Sequence, residues 1–139
     1  MTLTVVNTNT YTKAPSEEYM NPKQVHHFKE KLVHQKAELT LEIERQDNGV
    51  KSSAEKHADP LDQAQQVEDM GFNLHERQRK VNHVKAINQA LDRISEEDYG
   101  WCEECGDEIG LKRLDINPTA SMCIHCQSAQ EQKDQHRAA

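Results

Sequence analysis

The stretch WCEECGDEIGLKRLDINPTASMCIHC, residues 101–126, holds all four cysteines of the 139-residue chain. Cys102 and Cys105 form one C-x-x-C, Cys123 and Cys126 form a second, and 17 residues separate the pairs. That spacing is the signature of a structural tetrathiolate zinc site. Each C-x-x-C can offer two sulfurs to a shared metal, and Gly106 directly after Cys105 relaxes the turn that aims backbone N–H groups at them. Four thiolates leave no coordination position for water. The expected cofactor is therefore one structural Zn²⁺, held by Cys102, Cys105, Cys123 and Cys126. His125 lies between the last two cysteines and could compete as a ligand, but the cysteines on either side have the standard spacing. Two disulfides or a redox-active pair are the weaker alternatives, since the chain reads as cytoplasmic and no βαβ pattern surrounds the cysteines.

Upstream of this stretch the chain carries long helical patterns. From Pro22 to about Gly49 the apolar positions are Val25, Phe28, Leu32, Leu39 and Ile43, spaced by threes, fours and sevens and interrupted by Gln35. A second run contains Val67, Met70, Leu74, Val81, Val84, Ile87, Leu91 and Ile94, with Glu68, Asp69, Glu76, Arg77, Arg79, Lys80 and Lys85 on the other face. One narrow stripe and one wet face per helix predict two helices that bury their stripes against each other. Hydrophobic residues at 35% and aromatics at 4% suit such thin packing better than a large globular core. His26, His27 and His34 on the first helix read as wet surface positions.

Between the runs lies RQDNGVKSSAEKHADPLD, residues 45–62, where the chain can reverse. Arms of some 30 residues would put this reversal roughly 45 Å from the opposite end. Within it, Asp59 suits an N-cap, Pro60 the first helical position, and Asp62 the first turn, where the helix dipole favours an anion. Helix initiation alone could account for both aspartates.

Charge narrows the function. The formal net charge is −7, from 17 Lys and Arg against 24 Asp and Glu, so the basic excess that phosphate-backbone binding requires is missing. The finger itself sets five acidic residues against Lys112 and Arg113, which disfavours a stand-alone nucleic-acid module. No signal-peptide pattern opens the chain, and nowhere do about 18 apolar residues run together. A cytoplasmic protein without membrane contact is expected. The organisation predicted is an N-terminal segment over 1–20, partly mobile, a coiled-coil hairpin over 21–97 with its tip near 50–64, and a zinc finger with a C-terminal helix over 98–139.

Three pieces, in order along the chain, carry a family resemblance. ISEEDYGWCEECGDEIGLKRLDINPTASMCIHC (94–126) resembles the C4 zinc-finger region of the DksA/TraR family of bacterial RNA polymerase-binding transcription regulators. SEEYMNPKQVHHFKEKL (16–32) looks like the start of its longer members, and DPLDQA (59–64) matches the family's coiled-coil tip, D-P-x-D-x-A. The resemblance implies a mainly α fold: a long antiparallel coiled-coil hairpin projecting from a small globular head that contains the zinc finger and a C-terminal helix. It also implies a non-enzymatic regulator whose hairpin enters the secondary channel of RNA polymerase. Open promoter complexes would become less stable, inhibiting ribosomal RNA promoters and activating some amino-acid biosynthesis promoters in the stringent response.

By motif match, Asp59, Asp62 and Ala64 take the functional tip positions, and Lys112 and Arg113 are candidates for polymerase contact. Family members bind the alarmone guanosine tetraphosphate (ppGpp) through basic residues where this chain carries Ala86, Asn117 and Gln127. None of the three can be cationic, which predicts weak or absent alarmone dependence. No feature requires a dimer, so a monomer is expected. A transcript-cleavage factor of the Gre type is the alternative that shares an acidic hairpin tip, and a zinc-dependent nucleic-acid or protein-binding module is the other.

Overall fold

The structure, a computed structural model, describes residues 18–53 and 60–137. The apolar repeats become two long helices, α1 (Pro22–Ser53) and α2 (Pro60–Ser95), followed by the short α3 (Leu111–Ile116) and by α4 (Ile124–Arg137). Among the described residues there is no β-strand, only an isolated antiparallel bridge between Trp101 and Glu108. The fold is mainly α, as expected. The N-terminal segment before Glu18 and the aspartate at 59 lie outside the described residues.

α1 runs four residues beyond the expected close near Gly49. A single glycine costs a helix about 1 kcal/mol, and each propagated residue adds a hydrogen bond, so one Gly does not end an established helix. The start of α1 is fixed by side chains. Asn21 Oδ1 accepts the Gln24 N–H at 2.8 Å, while Gln24 Oε1 accepts the Met20 N–H at 2.8 Å. This reciprocal cap satisfies otherwise orphaned donors and explains why a glutamine can be fully buried there.

α2 closes with a Schellman turn. The Asp98 N–H donates to the Arg93 carbonyl at 2.9 Å, the Glu97 N–H donates to the Ile94 carbonyl at 3.3 Å, and Glu97 adopts a left-handed φ of 64°.

The chain divides into two units, one formed by residues up to Val33 together with Ile87 onward, the other by His34–Ala86. The first unit holds the core: Phe28, Leu32, Ile87, Ala90, Tyr99, Cys102, Ile109, Leu114, Ala120 and Cys123 are all buried. Phe28 lies against Tyr99, with ring centroids 6.0 Å apart.

In the second unit α1 and α2 pair antiparallel. Arg77 forms a two-pronged bond to Asp47, Nε to Oδ1 at 2.8 Å and Nη2 to Oδ2 at 3.3 Å, and Lys80 reaches Glu42 at 3.4 Å. Leu39, Ile43, Val81 and Val84 are half-buried, as the apolar pattern predicts. Val67, Met70 and Leu74, expected in the same stripe, are instead exposed, Val67 to 69% and Leu74 to 63%. The register explains it. Continuing the spacing of Val84, Ile87, Leu91 and Ile94 back along the helix leads to Lys80, Arg77, Asn73, Met70 and Gln66; all of these but Met70 are half-buried, as are Gly71 and Glu76, while Val67 and Leu74 fall one position to the side. Arg and Lys can lay their aliphatic stems along a seam and keep the charge outside it.

Candidate metal centre

Beyond the Schellman turn the chain enters a knuckle whose base is tied at several points. The Ile109 N–H donates to the Gly100 carbonyl at 2.9 Å. The Tyr19 hydroxyl donates to that same carbonyl at 2.6 Å and accepts the Gly110 N–H at 2.9 Å, so one phenol clasps both ends of the knuckle. Its ring stands edge-on to Trp101 at 5.3 Å. Gly100 must be glycine, because φ is +90° and a Cβ there would sit 2.6 Å from Met20 side-chain atoms. At the knuckle's tip the Cys102 N–H donates to the Asp107 carbonyl at 2.8 Å and the Gly106 N–H returns to the Cys102 carbonyl at 3.0 Å. Gly106 there has a φ of +76°, which bears out the need for a glycine after Cys105.

The second cysteine pair opens α4, where the Gln127 N–H donates to the Cys123 carbonyl. The loop that delivers it is held by four of its carbonyls. Pro118 accepts from the Tyr99 hydroxyl at 2.7 Å, Thr119 from Arg93 Nη2 at 3.4 Å, Ser121 from the Glu103 N–H at 2.9 Å, and Met122 from Arg113 Nε at 3.2 Å.

These constraints bring Cys102, Cys105, Cys123 and Cys126 together, with their sulfurs all within 4.8 Å of one another. Cys105 and Cys123 Sγ are 3.6 Å apart and all four thiols are free. A tetrahedral zinc with bonds of ~2.3 Å separates its sulfurs by ~3.8 Å, so this packing fits one metal ion and is too long for a disulfide. The electrostatics agree. Burial opposes ionisation of Cys102, yet N–H groups of Cys105, Cys123 and Glu104 stabilise its thiolate and bring it down to about 6. Cys126, beside the sulfurs of Cys123, Cys105 and Cys102, is pushed up. Cys105 is also raised; the Asp107 N–H favours its thiolate, but Cys102, burial and Cys123 outweigh it. Four clustered thiols cannot all ionise unless a cation joins them. His125 is exposed and outside the cluster.

Other expected site residues are placed less uniformly. Asp62 and Ala64 are exposed, Asp62 in the first turn of α2. Lys112 is exposed on α3, whereas Arg113 is half-buried and spends its Nε on the Met122 carbonyl. Ala86 is half-buried, the Asn117 Oδ1 accepts the Thr119 hydroxyl at 2.7 Å, and Gln127 donates to Glu131 at 2.9 Å. His27 departs from the wet surface position expected for it. Its Nε2 lies 3.8 Å from Asp115 Oδ1, its ring meets Phe28 edge-on at 5.1 Å, and burial lowers its pKa despite Asp115. Periodicity along one helix carries no signal for this, because the covering group comes from α3. Tyr19 and Arg93 were equally invisible as parts of the site.

Comparison with known proteins extends these features over nearly the whole chain. Residues 24–94 match the family described as DnaK suppressor protein DksA, N-terminal domain, and residues 97–132 match the prokaryotic dksA/traR C4-type zinc finger. The chain is 36% identical over 136 residues to the RNA polymerase-binding transcription factor DksA of Salmonella typhimurium, covering 98% of this chain and 90% of that one. It is 35% identical, with the same coverage, to the protein of that name from Escherichia coli K12. Among solved structures, transcription factor DksA2 from Pseudomonas aeruginosa superposes with a TM-score of 0.78 at 33% identity, over 85% of this chain and 91% of that chain.

Proposed function

The chain belongs to the DksA/TraR family, and from that premise we propose that it is a non-enzymatic transcription regulator of bacterial RNA polymerase, working through the secondary channel. The single observation that carries this reading is the joint match of hairpin and C4 finger to proteins named for polymerase binding, over 98% of the chain. The zinc, held by Cys102, Cys105, Cys123 and Cys126, plays a structural part: it fixes the finger and has no open position for chemistry.

Asp59, Asp62 and Ala64 form the acting tip. The exposure of Asp62 and Ala64 supports this, since a carboxylate in a first helical turn keeps oxygens available to a partner. An acidic rod entering a channel with basic walls gains mainly in association rate and register. The protein acts as a monomer in the cytoplasm, binds no specific DNA sequence, and shortens the life of open promoter complexes. Inhibition falls on ribosomal RNA promoters, and some other promoters are activated. Alarmone dependence is weak or absent, since Ala86, Asn117 and Gln127 offer a polyphosphate no positive charge. Lys112 is retained as a candidate polymerase contact, and Arg113 less so, given its bond within the finger.

The deciding experiment is the lifetime of open complexes at a ribosomal RNA promoter with purified polymerase, with and without the protein and guanosine tetraphosphate. A shortened lifetime that ignores the alarmone is expected, with Asp62→Asn retaining polymerase binding and losing the effect. An unchanged lifetime in every condition would overturn the reading.

A further inference from the structure

Arg93 stands in the last turn of α2 with only 9% of its surface exposed. A buried guanidinium needs acceptors for its five N–H groups and a counter-charge. What surrounds Arg93 is incomplete. Nη2 donates to the Thr119 carbonyl at a long 3.4 Å, Nη1 lies 3.8 Å from Glu103 Oε1, and neither Nε nor Nη1 has a hydrogen-bond partner. The Glu103 carboxylate is itself half in solvent. Burying a cation on those terms is unfavourable unless a further negative charge forms nearby.

The two groups it does reach explain the position. Glu103 lies between Cys102 and Cys105, and Thr119 lies on the loop that delivers Cys123. Arg93 therefore touches both halves of the site with one rigid fork. Of the other groups that hold the carbonyls of that loop, Tyr99 bonds Pro118, Arg113 bonds Met122, and the Glu103 N–H belongs to the first knuckle itself. Arg93 alone brings a charge to both from α2. It also shares with Cys102, Glu103 and Gly106 the wall of a cavity of about 430 Å³, which Glu96 and Asp98 line as well; Glu103 is the carboxylate within ion-pair distance of the guanidinium. Four thiolates and one Zn²⁺ sum to a net charge of −2.

We propose that Arg93 is the positioning residue of the metal centre: its guanidinium spans the two cysteine pairs, and its charge is balanced when the anionic zinc–thiolate group forms. Metal occupancy is thereby coupled to the final turn of α2. The inference rests on the reading of the four cysteines as a zinc site. It assigns Arg93 no contact with the metal; the residue acts through the segments that carry the ligands, as outer-shell partners of metal sites do.

The test compares the full-length protein with Arg93→Met, Arg93→Lys and Glu103→Gln. Zinc affinity is measured by competition with a chromophoric chelator, thiolate-to-cobalt charge-transfer bands by titration with Co²⁺, and thermal unfolding on the metal-free chain. Failure of the wild type to bind either ion would sink the zinc reading itself. Given wild-type binding, Arg93→Met is expected to lose about 10- to 100-fold in zinc affinity, with little loss of metal-free stability, because the buried charge has gone too. Arg93→Lys keeps the charge without the fork and should recover only part of the affinity. Glu103→Gln should cost little once Arg93 is already Met. A purely structural role would lower metal-free and metal-bound stability together and leave affinity unchanged. That result for Arg93→Met would overturn the proposal. Were Arg93→Met unable to fold, full wild-type affinity in Arg93→Lys would overturn the spanning role by itself.

Discussion

The two units of this protein are built from the same two helices by different physics. In the unit formed by the ends of α1 and α2 with the finger, ten apolar residues are buried, among them Phe28, Leu32, Ile87 and Leu114 with no exposed surface. In the unit over His34–Ala86 no described residue reaches that degree of burial. Its helices meet through half-buried Leu39, Ile43, Val81 and Val84 and through charge pairs across the seam. Exposed ion pairs contribute little to stability, so the first unit carries most of the folding free energy, and the second is free to use its sequence for other ends. Phe72 and Leu74, largely exposed there, show that apolar residues were not recruited to its seam.

The sharpest way to break that comparison is to remove the metal. The finger has no strand and only a six-residue helix between its cysteine pairs, so its order depends on whatever holds the four sulfurs. Chelation of the purified protein, or Cys123→Ser, is expected to abolish amide-exchange protection over residues 99–126 while the helical signal of residues 34–86 largely persists. Measured by hydrogen exchange, equal loss in both units would show that they do not differ as argued.

Truncation of the seam gives the next largest effect. Phe28→Ala empties a fully buried site and should cost about 3–5 kcal/mol. Leu39→Ala, one half-buried seam position in the other unit, should cost well under half of that, because less surface leaves water and solvent can relax into the gap. Denaturant melts of the two variants check the ratio. Similar losses would mean that the second unit is packed more tightly than its exposure indicates.

How far the sequence disclosed this can be traced residue by residue. The cysteine spacing pointed to the cluster of Cys102, Cys105, Cys123 and Cys126 that the fold brings together, because four ligands at fixed separations admit few geometries. The helix starts were legible too: Pro22 and Pro60, where the two runs were expected to begin, open α1 and α2. Register was less legible. Val67, Met70 and Leu74 follow a helical period, but in the second unit a seam can be filled by the stems of Arg77 and Lys80, and no apolar pattern reports that. The residues that hold the finger were the least legible. Tyr19 and Arg93 act across separations of 81 and 26 residues, respectively, through single bonds to carbonyls, which any residue could supply and no motif marks.

His27 offers the smallest effect and the most specific one, since it separates a half-buried histidine from the exposed His26 and His34 on the same helix. Burial against α3 lowers its pKa from the ordinary 6.5, Asp115 partly restores it, and Lys31 lowers it again. The neutral form is thus favoured in the folded state, and the unfolded chain takes up the proton more readily. The stabilisation from a neutral His27 is therefore complete above pH 6.5 and is lost as the pH falls below it. Because Asp115 stands close enough to oppose the shift, the loss is modest. His26 and His34 are exposed and face Glu30 and Glu38 on their own helix. Denaturant melts of the zinc-loaded protein at pH 7.5 and pH 5.8 should show a fall in stability that is smaller in His27→Gln and undiminished in His34→Gln. An equal fall in all three proteins would assign the acid sensitivity to groups other than this buried imidazole.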